Sequence, residues 1–147
     1  MRTLKSLAET REFAIEVARI LERPCVVLLD GEMGAGKTQL IRFMLEALGV
    51  ASVASPTFAI HHEYLCSHGA IDHLDLYRLH SDQDLESTGF WDLLSRPRAL
   101  LFVEWASRLP DDVWPESWQR VFVTIQKSAG GESERLVNAI FKKPFAN

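Results

Sequence analysis

The apolar positions of this chain change period several times, and each change marks an element. Phe13, Ala14, Val17, Ile20 and Leu21 recur at helical spacing. Ser6 and Glu9 match a capping box ahead of them, and Pro24 closes the segment, so the pattern predicts a helix from Ser6 to about Glu22. A continuous apolar run follows at 25–29, the mark of a buried strand. Leu40, Ile41, Met44, Leu45 and Leu48 return to helical spacing, with Gly49 as the C′ stop. Residues 51–57 have no period and read as a loop. Residues 58–65 and 70–76 read as strands joined through Ser67, His68 and Gly69 in a hairpin. Ser81 caps an expected helix to about residue 88, with Leu85 inward. Residues 99–103 form a second continuous apolar run, expected for a central strand. Residues 118–126 alternate, Gly130 and Gly131 follow, and 136–141 complete a second hairpin expected at a sheet edge.

Strands and helices alternate early, and hairpins come late. That order predicts an α/β domain of three layers, with a mixed, mainly parallel sheet and a C-terminal β-hairpin. A ligand belongs at the carboxyl ends of the strands. No repeat, low-complexity tract or linker interrupts the 147 residues, so residues 1–147 read as one domain.

The turn between the first buried strand and the second helix carries the clearest chemistry. Residues 31–38 read G-E-M-G-A-G-K-T, a full match to the phosphate-binding P-loop. A strand feeding a glycine-rich turn into a helix N-terminus aims backbone N–H groups and the helix dipole at an anion. Gly31, Glu32, Met33, Gly34, Ala35, Gly36, Lys37 and Thr38, with Gln39 after them, form the candidate nucleotide-binding stretch. In a nucleoside triphosphate site Lys37 reaches the β- and γ-phosphates, and the Thr38 hydroxyl ligates Mg²⁺. No N-K-x-D guanine motif occurs, which favours ATP over GTP.

Turnover also needs a metal and a positioned nucleophile. Glu104 ends the apolar strand 99–103 and reads either as a Walker B carboxylate near the Mg²⁺ held by Thr38, or as a charge placed where a strand leaves the core. Asp75 follows the alternating segment of Ile71, Asp72, His73 and Leu74. It reads either as a carboxylate that orients water or joins the metal shell, or as a turn or cap residue. Thr57, in Ser55-Pro56-Thr57-Phe58, reads either as a switch-loop hydroxyl facing Mg²⁺ or the γ-phosphate, or as part of an ordinary turn. His61, His62, His68 and His73 have no helical ligand spacing, and His61 and His62 point to opposite strand faces, which argues against a histidine-bound transition metal. Trp105, Trp114 and Trp118 read as packing residues.

A net charge of −4 argues against a stand-alone RNA binder. Cys25 reads as a small core residue, and two cysteines, Cys25 and Cys66, suggest no disulfide framework or zinc site. The N-terminal residues lack an apolar signal region, and no run reaches the length of a membrane span. A cytoplasmic protein without membrane association is the expectation.

The ordered set of G-E-M-G-A-G-K-T, S-P-T-F at 55–58, H-L-D-L-Y-R-L at 73–79 and V-E-W at 103–105 resembles the bacterial TsaE family, formerly YjeE. The resemblance covers nearly the whole chain and implies a P-loop ATPase of tRNA threonylcarbamoyladenosine biosynthesis. It implies ATP and Mg²⁺ as ligands and TsaB and TsaD as partners, with adenosine 37 of tRNA reached only through them. It gives Lys37 and Thr38 the phosphate and Mg²⁺, Asp75 a Walker-B-like role and Glu104 a metal-side role. It puts Thr57 in the switch position, Leu7 and Thr10 beside the adenine, and Arg135 near the nucleotide. Two other classes remain open at this level: a small-molecule kinase with Asp75 as base and the arginines of residues 95–98 as a lid, and a non-catalytic nucleotide sensor.

Overall fold

The computed structural model describes residues 1–51, 61–66, 69–77, 79, 85–86 and 89–144. Strand β1 (Arg2–Leu4) leads into helix α1 (Leu7–Arg19), strand β2 (Cys25–Asp30) and helix α2 (Lys37–Ala47). Strands β3 (His61–Cys66), β4 (Gly69–Asp75), β5 (Leu100–Glu104), β6 (Gln119–Lys127) and β7 (Arg135–Lys142) follow. The strands form one sheet in the order β1-β7-β6-β2-β5-β4-β3. The four central strands, β6, β2, β5 and β4, run parallel, and the outer pairs are antiparallel. The expected mixed α/β sheet is therefore present, and its parallel part is its centre.

The expected central strand is β5, between β2 and β4 and buried at all five positions. Both apolar runs, in β2 and β5, are continuous because helices or turns cover both of their faces. On one face Cys25, Val27, Leu29 and Phe102 pack with Phe13, Val17, Leu40, Ile41 and Met44 from α1 and α2. On the other face Val26, Leu28, Leu101 and Val103 pack with Leu76, Leu85, Phe90, Leu93, Trp114 and Trp118. That second layer is built from short pieces: the helical turn Phe90–Leu93 and the 3₁₀ turns Ala106–Arg108 and Asp111–Val113. Phe90 and Trp114 meet edge to face at 5.5 Å, a contact worth about 0.5–1.5 kcal/mol beyond area burial.

Ser6 caps α1 as expected, its hydroxyl accepting the Glu9 N–H, while the Glu9 carboxylate accepts the Lys5 N–H. The helix ends at Arg19 rather than near Glu22. A distant residue is the cause. Gln119 donates to the Ile20 carbonyl at 2.9 Å and accepts the Glu22 N–H at 2.7 Å, so the last expected turn is bound by β6 instead of by itself. Gly49 terminates the α2 segment at φ 93, where a side chain is disfavoured.

The C-terminal hairpin forms, but it is not the sheet edge. Arg2, Thr3 and Leu4 pair with Val137, Leu136 and Arg135, which places β1 outside β7. Three residues are too few to give a period-2 signal, so this strand comes from backbone pairing alone. The expected loop at 51–57 lies outside the described residues from 52 onward. So do residues 58–60 of the expected third strand, Ser67 and His68 of the first hairpin turn, and most of the helix expected from Ser81. Leu85 is buried, as expected. No helix among the described residues is long and apolar enough to cross a membrane.

Candidate functional site

Parallel pairing brings the carboxyl ends of β2, β5 and β4 to one edge. Asp75 lies in register with Glu104, and Glu104 with Leu29. The phosphate loop leaves the sheet at this edge. Gly34 and Gly36 take φ values of 80 and 108, and Gly36 caps α2 without a side-chain hydrogen bond. The first N–H groups of α2 thus keep no side-chain cap, the arrangement that receives an anion. A cavity of about 310 Å³ opens here, lined by Lys37, Thr38, Asp75, Tyr77, Glu104 and Trp105 among others.

Gly31 is required by close approach. A Cβ there would stand 2.2 Å from the Ile125 carbonyl oxygen of β6, which is backbone and cannot rotate away. Gly31→Ala is therefore expected to destabilise the protein by about 3 kcal/mol, the upper end of overpacking. Denaturant unfolding checks this, and an unchanged midpoint would contradict the packing at the loop's entry.

The Lys37 side chain turns back onto its own loop. Its ammonium donates to the Gly31 and Glu32 carbonyls and sits 4.1 Å from the centre of the Trp105 ring. Burial lowers the Lys37 pKa from its ordinary value, and Glu104, Asp75, Asp30 and Glu32 pull the other way. The Thr38 hydroxyl donates to Glu104 Oε1 at 2.8 Å. His73 Nε2 lies 2.7 Å from Glu104 Oε2, both side chains almost fully buried. Burial alone would raise the Glu104 pKa, but His73, Thr38 and Lys37 together hold it below the usual carboxylate range. Asp75 goes the opposite way. Burial raises it, Glu104 adds to the rise, and the Tyr77 N–H, accepted at 3.0 Å, offsets only part.

Glu104, Asp75 and the adjacent pair Lys37 and Thr38, from three separate stretches of the chain, thus converge. Arg135 also reaches the loop, donating from Nε to the Ala35 carbonyl at 2.7 Å. Met33, Gly34, Gly36 and Gln39 line the cavity, while Gly31 and Glu32 line an adjoining cleft with Lys127. Leu7 and Thr10 stand outside the cavity lining, at the start of α1. Leu7 is exposed, and the buried Thr10 hydroxyl donates to the Ser6 carbonyl. The pairing of Leu4 with Arg135 nevertheless brings the α1 N-terminus to the phosphate-loop edge. Thr57 lies outside the described residues.

The packing expectation holds for the three tryptophans: Trp114 and Trp118 are core residues, and Trp105 packs, partly buried, against the same cluster. Trp105 also lines the cavity, 5.0 Å from the Tyr77 ring. At φ 59 it is the only non-glycine residue with positive φ among the described ones, a strained conformation of the kind found at functional sites. His73 and Tyr77 also belong to the site and carry no role in the sequence reading beyond their motif. The H-x-D spacing held the signal for His73, since it sets His73 and Asp75 on one strand face. No group of three or more potential metal-ligating His, Cys, Asp or Glu side chains occurs among the described residues.

Fold and loop together define a P-loop domain of the α/β class. The model of the family "Threonylcarbamoyl adenosine biosynthesis protein TsaE" matches residues 4–137. The chain belongs to the TsaE family. It is 36% identical over 110 residues to the tRNA threonylcarbamoyladenosine biosynthesis protein TsaE of Synechocystis, covering 73% of this chain and 70% of that one. To the TsaE protein of Rickettsia conorii it is 37% identical over 108 residues, covering 72% of this chain but only 61% of the relative. The crystal structure of YdiB from Bacillus subtilis superposes with a TM-score of 0.63 at 25% identity, covering 96% of this chain and 83% of that one.

Proposed function

We propose that this protein is an ATP-binding and ATP-hydrolysing accessory subunit in threonylcarbamoylation of adenosine 37 of tRNA, acting with TsaB and TsaD in the cytoplasm. One observation carries the nucleotide reading. The Thr38 hydroxyl and the Glu104 carboxylate, 66 residues apart in sequence, meet at 2.8 Å beside Lys37, with Asp75 in register next to them. A hydroxyl and two carboxylates are hard oxygen donors, which suit Mg²⁺. Thr38, Glu104 and Asp75 would hold it. When bound, Mg²⁺ supplies charge neutralisation at the β- and γ-phosphate oxygens. Lys37 and the α2 N-terminus bind the phosphates, and Asp75 or Glu104 orients the attacking water. The biological role rests on the family and on the relatives' names.

The kinase alternative is weaker on structural grounds. Its lid would be Arg96 and Arg98, but these precede β5, at the sheet end opposite Glu104, and Arg96 faces Asp72 and Glu63. With a net charge of −4 the protein alone should bind tRNA only weakly and lose it as salt rises.

Phosphate release from ATP by the pure protein, with and without TsaB and TsaD, tests the assignment. A strong rise with the partners is the expected result. Complete absence of turnover in both conditions would leave a nucleotide sensor instead.

A further inference from the structure

The most deeply buried polar pair at the site includes a residue to which the nucleotide reading gives no task. His73 is 2% exposed and Glu104 is 3% exposed. His73 and Asp75 alternate along β4 onto one face, and Asp75 is the register partner of Glu104. A carboxylate only accepts, so the Nε2 of His73 is the donor in the 2.7 Å bond to Glu104 Oε2. The other carboxylate oxygen, Oε1, accepts from Thr38 at 2.8 Å. Each oxygen of Glu104 therefore has one donor, and the two donors come from different elements, β4 and α2. Two donors on opposite oxygens fix the plane of a carboxylate that is otherwise free to rotate about its last torsion.

A histidine placed only to satisfy the core would use both ring nitrogens. His73 does not: its Nδ1 is buried and has no hydrogen-bond partner among the described residues. Such a group carries an uncompensated desolvation penalty and calls for a functional account.

We propose that His73 is a positioning residue: it donates to Glu104 and holds the carboxylate plane with Oε1 turned toward the Thr38 hydroxyl. This rests on the nucleotide reading of the site. Without the donor, Glu104 is free to turn, so the arrangement needed for turnover and for the metal is lost. The phosphate loop itself is untouched, so nucleotide binding at saturating Mg²⁺ should survive.

Two variants separate a hydrogen-bonding role from simple filling of space. The His73→Gln side chain carries its N–H₂ near the place of Nε2 and keeps a donor for Glu104. The shorter His73→Asn places its donor near Nδ1 and does not reach. The experiment measures ATP turnover, thermal midpoint, and calorimetric affinity for a non-hydrolysable ATP analogue over a range of Mg²⁺ concentrations. His73→Asn should lower kcat by about 10–100-fold and raise the Mg²⁺ concentration needed for half-maximal analogue binding by a comparable factor. Analogue affinity at saturating Mg²⁺ should stay within about threefold of the parent. His73→Gln should recover most of both losses.

The inference is overturned if His73→Asn keeps the parent kcat. It is also overturned if both variants lose kcat and thermal midpoint to the same extent, since that is a packing effect, or if analogue affinity at saturating Mg²⁺ falls in step with kcat. Failure of the unmodified protein to bind the analogue at all would remove the nucleotide reading and this inference together. Normal binding with indifferent His73 variants would remove this inference alone.

Discussion

Lys37→Ala is expected to abolish ATP turnover, with a loss of at least about 10²–10³ in kcat and an unchanged circular dichroism spectrum. The reason lies in how the ammonium is held. Lys37 is 5% exposed, yet its hydrogen bonds go to the neutral carbonyls of Gly31 and Glu32, and it forms no ion pair among the described residues. Its positive charge is therefore free of a direct anionic partner and available to phosphate oxygens, in a setting where burial strengthens the attraction. The fold should tolerate the change, because Lys37 sits at the first position of α2 and alanine is the best helix former. Phosphate-release assays decide it. Parent-like turnover in Lys37→Ala would remove the site from the phosphate loop.

The second large effect is a split between the two carboxylates. Asp75→Asn and Glu104→Gln should each cut kcat by about 10²-fold or more while, at saturating Mg²⁺, ATP binds as tightly as before or more tightly, because a negative charge near the phosphates is gone. Their effects on stability should have opposite signs. The folded-state pKa of Asp75 is raised, first by burial and then by Glu104. Its charged form is thus penalised in the folded state, and the penalty grows as pH rises from the unfolded through the folded pKa. Asp75→Asn should then stabilise the protein at neutral pH, by roughly 0.5–2 kcal/mol, with the gain fading in acid. The folded-state pKa of Glu104 is lowered, because His73, Thr38 and Lys37 outweigh burial. Its stabilisation is present above the ordinary carboxylate range and is lost as pH falls through the folded value. Glu104→Gln should therefore destabilise at neutral pH. Unfolding midpoints at pH 7 and near pH 4 test this. Destabilisation by Asp75→Asn at neutral pH would show that Asp75 is a structural cap through its bond to Tyr77. Unchanged hydrolysis in both variants would move catalysis elsewhere in the chain.

Gain of stability on losing a site residue is the usual sign of a group held for function. Trp105 carries the same mark in its backbone. Its left-handed φ of 59 is costly for an aromatic residue, and the ring it places is the one that faces Lys37 and Tyr77.

Much of this was legible in the chain itself. The continuous apolar runs of β2 and β5 gave buried strands, because strands covered on both faces have no polar positions to alternate. The phosphate loop was readable in full, since its function is local: a strand, three glycines and a helix start within one short stretch. The Ser6 cap and the Gly49 stop were legible for the same reason. What failed was set at a distance. The end of α1 was decided by Gln119, almost a hundred residues on, competing for the peptide groups of Ile20 and Glu22. β1 was invisible because three residues carry no period and its partner is β7.

The sequence alone determined the class of the domain, the anion-binding loop and the two acidic strand ends, because each is written in spacing along one stretch of chain. Only the tertiary structure decided that Asp75 and Glu104 are neighbours, that His73 and Thr38 hold the two oxygens of Glu104, that Trp105 lines the cavity, and that Arg135 returns to Ala35. Those contacts depend on strand order and register, which follow from burial and backbone pairing across the whole sheet and leave no local period to read.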